Sequence, residues 1–182
     1  MPNNRVGRAV KLDQQLVEAR SSIVIRTPQE LFLTIRTYLQ RVVEGEPSCR
    51  KSKNNPIQLV KFSDRVIALG PPREHGPTDS HFHFDSGARL AFEITLMQEG
   101  ADWRLQAYRF HLELPEGMRP QYFRFDMDDA QHSEPLRHPR SHIHPGNKDV
   151  RLPCPVLHPL DVLDYLIFVL EPFFAAAPPT RA

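Results

Sequence analysis

The chain has 182 residues, of which 25% are charged and 40% hydrophobic, a balance typical of a folded globular protein. Its formal net charge of +1 excludes a global basic field for nucleic acid, so any phosphate-binding patch is expected to be local. No apolar run reaches the roughly 18 residues of a membrane span, and the N-terminal residues lack the apolar core of a signal peptide. We therefore expect a single cytoplasmic domain over 1–182, without a membrane partner and with partly flexible ends at 1–25 and 173–182.

The first predicted element is a helix that follows the sequence TPQE. Thr27 can cap this helix, Pro28 suits its first turn, and Glu30 completes a capping box. The helix is expected to end near Val43, before Gly45. One buried face is predicted from apolar residues at helical spacing, namely Leu31, Ile35, Leu39 and Val42.

Alternating segments between residues 57 and 127 predict the strands of an antiparallel meander. These segments are IQLVKF, RVIALG, HFHFD, RLAFEITL, WRLQAYRFHLEL and QYFRFDM. The first two are expected to form a hairpin through Ser63 and Asp64. In the last hairpin, matched alternation predicts that Phe110 opposes Phe123 on the apolar face. The same register places Arg109 opposite Arg124 on the polar face.

The last predicted element is a buried helix that begins at Pro159, directly after His158, and ends before Pro172. A helix, a meander of five to six strands, a proline-rich loop and a second helix together indicate the α+β class. The N-terminal and the C-terminal helix are both expected to pack on one face of the sheet.

The polar face of the predicted sheet carries residue types suited to proton transfer and anion binding. We interpret Arg109, His111 and Arg124 as binding residues and Tyr122 as a catalytic residue. The ordinary alternative is a solvated face, which antiparallel sheets often present. Such a face more often carries Lys, Glu and Thr, so the case for a functional site rests on this composition.

The segment HPRSHIHPG at 138–146 is the strongest functional signal in the sequence. His142 and His144 lie two residues apart, so in an extended stretch their imidazoles project to the same side. We predict that they form a catalytic acid/base pair acting on a phosphate, assisted by Arg140 and with Arg151 as a further binding residue. The alternative is a structural role, with the imidazoles hydrogen-bonded to loop carbonyls.

A metal site is a second interpretation of the same pair. His142 and His144 suit two ligands of one divalent metal such as zinc or manganese, and His138 completes the alternative ligand set. Further candidates for the third ligand are His132, Asp126 and the pair His81 and His83. The neighbouring arginines favour an anion over a cation, so the primary expectation is a site without a metal or other cofactor. A carboxylate such as Asp126 would reverse this local field.

The segment from Tyr122 to Leu170 carries a resemblance to known proteins. It resembles a pattern in small uncharacterised bacterial proteins, in which an Arg-Phe-Asp strand leads to an HPxSHxHxG loop, an Arg-x-Pro segment and a final helix. The order of aromatic meander, H-x-H pair and final helix is also similar to TumE-like toxins of bacterial toxin–antitoxin pairs. The match covers roughly residues 100–170.

Three functions follow from these features. The first is a toxin- or defence-associated ribonuclease or phosphodiesterase-type hydrolase that acts on, or binds, RNA or a nucleotide phosphate. The second is a metal-dependent hydrolase built on His142 and His144. The third is a non-catalytic accessory or antitoxin-like subunit that docks to a cognate protein partner through the last helix.

Overall fold

The computed structural model describes residues 24–45, 49–50, 58–61, 66–70, 82–128 and 138–175. Within them, strands and helices form one antiparallel sheet with a helix before it and a helical region after it, so the predicted α+β class is confirmed. The strands are β1 (Val24–Ile25), β2 (Cys49–Arg50), β3 (Gln58–Lys61), β4 (Val66–Gly70), β5 (Phe82–Phe84), β6 (Arg89–Glu99), β7 (Asp102–Glu113), β8 (Tyr122–Met127), β9 (Ser141–Pro145) and β10 (Leu152–Pro153).

The main path through the sheet runs in the order β10-β9-β8-β7-β6-β4-β3. β1 pairs with the start of β7, and β5 connects β2 to β6. The predicted hairpin of the first two segments corresponds to β3 and β4, whereas its turn at Ser63 and Asp64 lies outside the described residues. No helix in the described part of the chain is long and apolar enough to cross a membrane.

Helix α1 (Pro28–Gly45) forms where its capping signal predicts. The Thr27 hydroxyl accepts a hydrogen bond of 3.1 Å from the Glu30 amide, which satisfies one of the free donors at the helix start. Of the predicted buried face, the residues whose side chains are described are all buried: Leu31, Ile35 and Leu39.

The C-terminal helix consists of α2 (Pro159–Asp164), a π-helical segment (Tyr165–Leu170) and α3 (Glu171–Ala175). Its predicted start is confirmed, and the His158 ring caps it by accepting a hydrogen bond from the Leu160 amide. Its predicted end before Pro172 is wrong. The Glu171 amide bonds to the carbonyl of Leu166, five residues earlier, and this wider turn accommodates a proline ring that would clash in a regular α-helix.

The hydrophobic core lies between one face of the sheet and both helices, as predicted. Phe125 contacts Tyr165 with ring centroids 5.9 Å apart, and Phe123 contacts Phe174 at 5.4 Å. The residues with the least exposure come from strands and helices alike: Leu90, Ile94, Leu96, Phe110, Leu112, Ile35, Val162, Leu163 and Leu166. The opposite face of the sheet is therefore left to the polar side chains.

The register of the β7–β8 hairpin differs from the predicted one by two residues. Phe110 opposes Phe125, and Arg109 opposes Asp126 instead of Arg124. A shift of two residues leaves every side chain on its predicted face, because the side-chain period of a strand is two. It also replaces a pair of like charges by an Arg–Asp pair, which is the more favourable cross-strand arrangement.

The histidine segment is a strand and not the predicted loop. Residues Ser141–Pro145 form β9, which pairs with β8 on one side and β10 on the other. Gly146 ends the strand with a φ of 73°, a conformation that favours glycine. The pairing with β8 brings His142 opposite Asp126 and His144 opposite Arg124.

Candidate metal centre

The registers of β7, β8 and β9 arrange polar side chains in two rows across the polar face of the sheet. The first row runs from Arg109 on β7 through Asp126 on β8 to His142 on β9. The second runs from His111 through Arg124 to His144. The alternation of β8 and of β9 thus places an arginine, a carboxylate and two imidazoles beside each other.

Asp126, His142 and His144 form the tightest group on this face, called here the Asp–His–His cluster. Their potential ligand atoms all lie within 4.8 Å of one another. The Asp126 Oδ2 atom is 3.4 Å from His144 Nε2 and 3.7 Å from His142 Nε2. The three residues are only 3%, 1% and 0% exposed, respectively, although they lie on the face that the helices do not cover.

The hydrogen bonds of the two rings fix their tautomers. His142 Nδ1 lies 2.7 Å from the Pro139 carbonyl oxygen, and His144 Nδ1 lies 3.3 Å from that of Asn147. Because a carbonyl oxygen only accepts, each Nδ1 carries the proton, and each neutral ring has its lone pair on Nε2. Both lone pairs therefore lie on the atoms nearest to the Asp126 carboxylate.

Burial favours the neutral form of both histidines. It lowers the pKa of His142, although the Pro139 carbonyl and the Asp126 carboxylate partly oppose this effect. The pKa of His144 is also lowered, first by burial and then by the Arg124 guanidinium. Neutral imidazoles with free lone pairs are the form that binds a metal.

The Arg124 guanidinium holds the cluster together in this structure. Its Nε donates to Asp126 Oδ2 at 2.8 Å, and its Nη2 donates to the lone pair of His144 Nε2 at 2.9 Å. Asp126 Oδ1 is buried without a hydrogen-bond partner among the described residues, and the closest cation to it is Arg109 Nε at 3.5 Å. A buried carboxylate oxygen without a donor is costly, and a bound cation would satisfy it.

A second group contains Asp128, His138 and His142. His138 Nε2 lies 2.7 Å from Asp128 Oδ2, so the structure pairs His138 with Asp128 and does not bring it to His144. In this group, His142 Nδ1 lies 3.9 Å from Asp128 Oδ2. The Nδ1 atom already donates to the Pro139 carbonyl, so the Asp–His–His cluster is the better candidate for a metal.

The other residues proposed from the sequence surround the cluster without joining it. Half-buried Arg140 donates from Nε to the Asp128 carbonyl at 3.3 Å, and exposed Arg151 contributes to lowering the pKa of His144. Tyr122 stacks on His111 with ring centroids 5.0 Å apart, at the end of the strands away from Asp126.

Asp126 and His138 were both candidates for the third ligand from the sequence, and the structure brings Asp126 to both histidines of the pair. The candidates His81 and His132 lie outside the described residues. The available signal for Asp126 was its spacing from Arg124, which matches that of His142 and His144. Residues two apart on a strand project from the same face of the sheet. Two such pairs on adjacent strands therefore come together when the strand register puts both on the same face. The pairing of Asp128 with His138 had no signal in the sequence.

Residues 102–180 match a family of uncharacterised conserved proteins, DUF2290. The matched region contains β7 to β10 and the C-terminal helix, and with them every member of the Asp–His–His cluster. The predicted resemblance to uncharacterised proteins is therefore confirmed for this part of the chain. No curated protein and no solved structure matches the chain.

Proposed function

We propose that Asp126, His142 and His144 bind one divalent metal, such as zinc or manganese, and that the protein is a metal-dependent hydrolase of phosphate esters in RNA or nucleotides. The observation that carries the proposal is the convergence of three buried ligand atoms within 4.8 Å. Two imidazoles and one carboxylate are a ligand set of catalytic zinc centres, where further positions stay open for water and substrate.

The hydrogen bonds behind the ligands support this proposal. In metal sites, the ring nitrogen that does not bind the metal usually donates to a carbonyl or carboxylate, which fixes the ring and its tautomer. His142 and His144 both have this arrangement, through the carbonyls of Pro139 and Asn147. Two histidines with only a structural role would not need to place both Nε2 lone pairs beside the same carboxylate.

The charges around the cluster favour a phosphate ester as the substrate. Arg109 is 63% exposed along its side chain and lies beside Asp126, and Arg140 and Arg151 flank the histidine strand. Guanidinium groups bind phosphate oxygens with two parallel hydrogen bonds. A divalent metal polarises the phosphoryl oxygen and lowers the pKa of a bound water to about 7.

A site without a metal is the second candidate, and the position of Arg124 favours it. In this alternative, Arg124 is the permanent cation between Asp126 and His144. His142 and His144 then act as acid and base on an RNA or nucleotide phosphate bound by the arginines.

The accessory-subunit alternative is supported by partly exposed apolar side chains on the C-terminal helix. Tyr165, Phe168, Val169 and Phe173 are between 43% and 66% exposed. Such a patch suits a protein partner. The association with toxin–antitoxin or defence systems stays a prediction from the resemblance to TumE-like and HPxSHxHxG proteins.

The experiment measures hydrolysis of bis(p-nitrophenyl) phosphate and of a short single-stranded RNA before and after treatment with a chelator. Activity should disappear on chelation and return with zinc or manganese. His144→Gln should be inactive with every metal, whereas His83→Gln, a control histidine on the same face of the sheet, should keep its activity. Activity that survives chelation and is lost in Arg124→Met would favour the site without a metal. Absence of hydrolysis under all conditions would contradict the hydrolase proposal.

A further inference from the structure

A cleft of about 630 Å³ opens on the polar face of the sheet, at the end of β7 and β8 that carries their connecting turn. Its wall residue His111 lies opposite Arg124, which bonds to Asp126 and His144. Its walls include Arg89, Glu113, Gln121, and the stacked rings of His111 and Tyr122. The turn between β7 and β8 forms its rim. A volume of this size lies within the range of sites for small molecules, which is roughly 300–1,000 Å³.

We propose that this cleft binds the base of a nucleotide whose phosphate faces Arg124. The inference rests on the proposed function, since it names the substrate class of the same site. Tyr122 precedes Arg124 by two residues on β8, a distance of about 7 Å along a strand. Both side chains lie on the polar face, so a ligand stacked on Tyr122 can extend directly toward the arginine.

The chemistry of the cleft suits a nucleobase. Tyr122 is held by its contact with His111, with the ring planes inclined by 26°, and this pair offers an aromatic surface of fixed orientation. Bases stack on such surfaces whatever their sequence. A sugar phosphate without a base would make no use of this surface.

The polar groups in the cleft complement the edge of a base. Arg89 Nη2 and Glu113 Oε1 lie 2.6 Å apart, and their side chains are 34% and 40% exposed. The ion pair thus presents donors and an acceptor side by side in the same cleft. Base edges carry donors and acceptors in just this kind of adjacent arrangement.

The test compares the affinities of metal-free protein for AMP, GMP, CMP and UMP with its affinity for ribose 5-phosphate, by isothermal titration calorimetry. At least one nucleotide should bind about 5- to 150-fold more tightly, the fold-change expected for stacking of one base. Tyr122→Leu should abolish this preference without changing the affinity for ribose 5-phosphate. Tyr122→Phe should retain the preference, and so should Phe173→Ala, which removes an exposed aromatic ring from the C-terminal helix.

Equal affinities for all five ligands, or a preference that persists in Tyr122→Leu, would overturn the inference. Failure to bind any of the five would do the same. The proposed function is tested separately, because hydrolysis of bis(p-nitrophenyl) phosphate needs no base-binding cleft. A metal-dependent hydrolase without a nucleotide preference would therefore keep the proposed function and reject the cleft.

Discussion

Asp126 is the residue on which the candidate site depends. Its carboxylate is buried, receives a hydrogen bond from Arg124 on one oxygen and has no hydrogen-bond partner among the described residues on the other. Both imidazole lone pairs of β9 lie within 4 Å of it. Such an arrangement is most favourable when a positive charge stands between the three groups, and a metal or Arg124 can supply that charge.

Arg124→Met separates these two possibilities. Loss of the guanidinium leaves Asp126 without its partner, so the metal-free protein should lose about 2–3 kcal/mol of stability. The loss is smaller than for a fully buried ion pair, because the Arg124 side chain is 23% exposed. The same change frees the lone pair of His144, so zinc should bind about tenfold more tightly, as expected from the loss of a competing charged hydrogen bond.

The control for this prediction is Arg109→Met. Arg109 lies 3.5 Å from Asp126 but blocks no imidazole lone pair, so its removal should change zinc affinity much less. Thermal unfolding and calorimetric titration of both variants give the comparison. Weaker zinc binding by Arg124→Met would show that Arg124 supports the ligands and does not compete with the metal.

His158 gives a prediction for the pH dependence of stability. Burial lowers the pKa of His158, so the folded protein resists a proton that the unfolded chain accepts at its ordinary pKa of about 6.5. The stability associated with the neutral ring is therefore present above about pH 6.5. It is lost as the pH falls through that value toward the lowered pKa of the folded state.

His158→Asn should reduce this loss, because asparagine can also accept the helix-capping hydrogen bond and does not titrate. The difference in melting temperature between about pH 7.5 and pH 5.5 is the measurement. It should be smaller in the variant than in the wild-type protein. An unchanged difference would mean that other groups account for all of the dependence.

At the scale of elements, the position of β9 depends on the close contact between Gly146 and the β7–β8 turn. A Cβ atom at Gly146 would lie 2.5 Å from Pro120 Cβ, and its φ of 73° is unfavourable for other residues. Gly146→Ala should therefore cost about 1–3 kcal/mol for backbone strain together with the displacement of Pro120. The displacement should also weaken metal binding by moving His144.

Gly117→Ala is the matched control, because its φ is 87° and no atom lies within 4 Å of the added Cβ. It should show the cost of backbone strain alone and leave metal binding unchanged. Chemical denaturation and zinc titration of both variants measure the two effects. If the variants behave alike, the contact with Pro120 does not position β9.

The helices and the strand faces could be predicted because their signals are local. The cap at Thr27 and the alternation of Phe123 and Phe125 act within a few residues. The register of β7 and β8 could not be predicted, because registers that differ by two residues give every side chain the same face. The third ligand is the residue that the strand register places beside His142 and His144. Alternation alone therefore could not decide between Asp126 and His138.

The histidine segment was predicted as a loop because Pro139 and Pro145 bracket it, and prolines are rare in paired strands. Only the partner strands β8 and β10 make it a strand, and such pairing is not encoded in the segment itself. The predicted extended backbone of the H-x-H pair was nevertheless correct, which is why both imidazoles lie on one side.

At the scale of the whole molecule, the two faces of the sheet have different roles. One face packs against both helices and forms the hydrophobic core. The other carries the Asp–His–His cluster, the arginines and the cleft of about 630 Å³. This division explains how buried polar residues are retained without disturbing the core, since they lie on the side of the sheet away from the helices.

The central claim is that the Asp–His–His cluster binds a divalent metal. Its most direct test is calorimetric titration of zinc and of manganese into chelator-treated protein, with His144→Gln and His83→Gln as the matched pair. We predict binding of one metal ion per chain in the wild-type protein and in His83→Gln, and loss of that binding in His144→Gln. Absence of binding in the wild-type protein, or equal binding in His144→Gln, would contradict the claim.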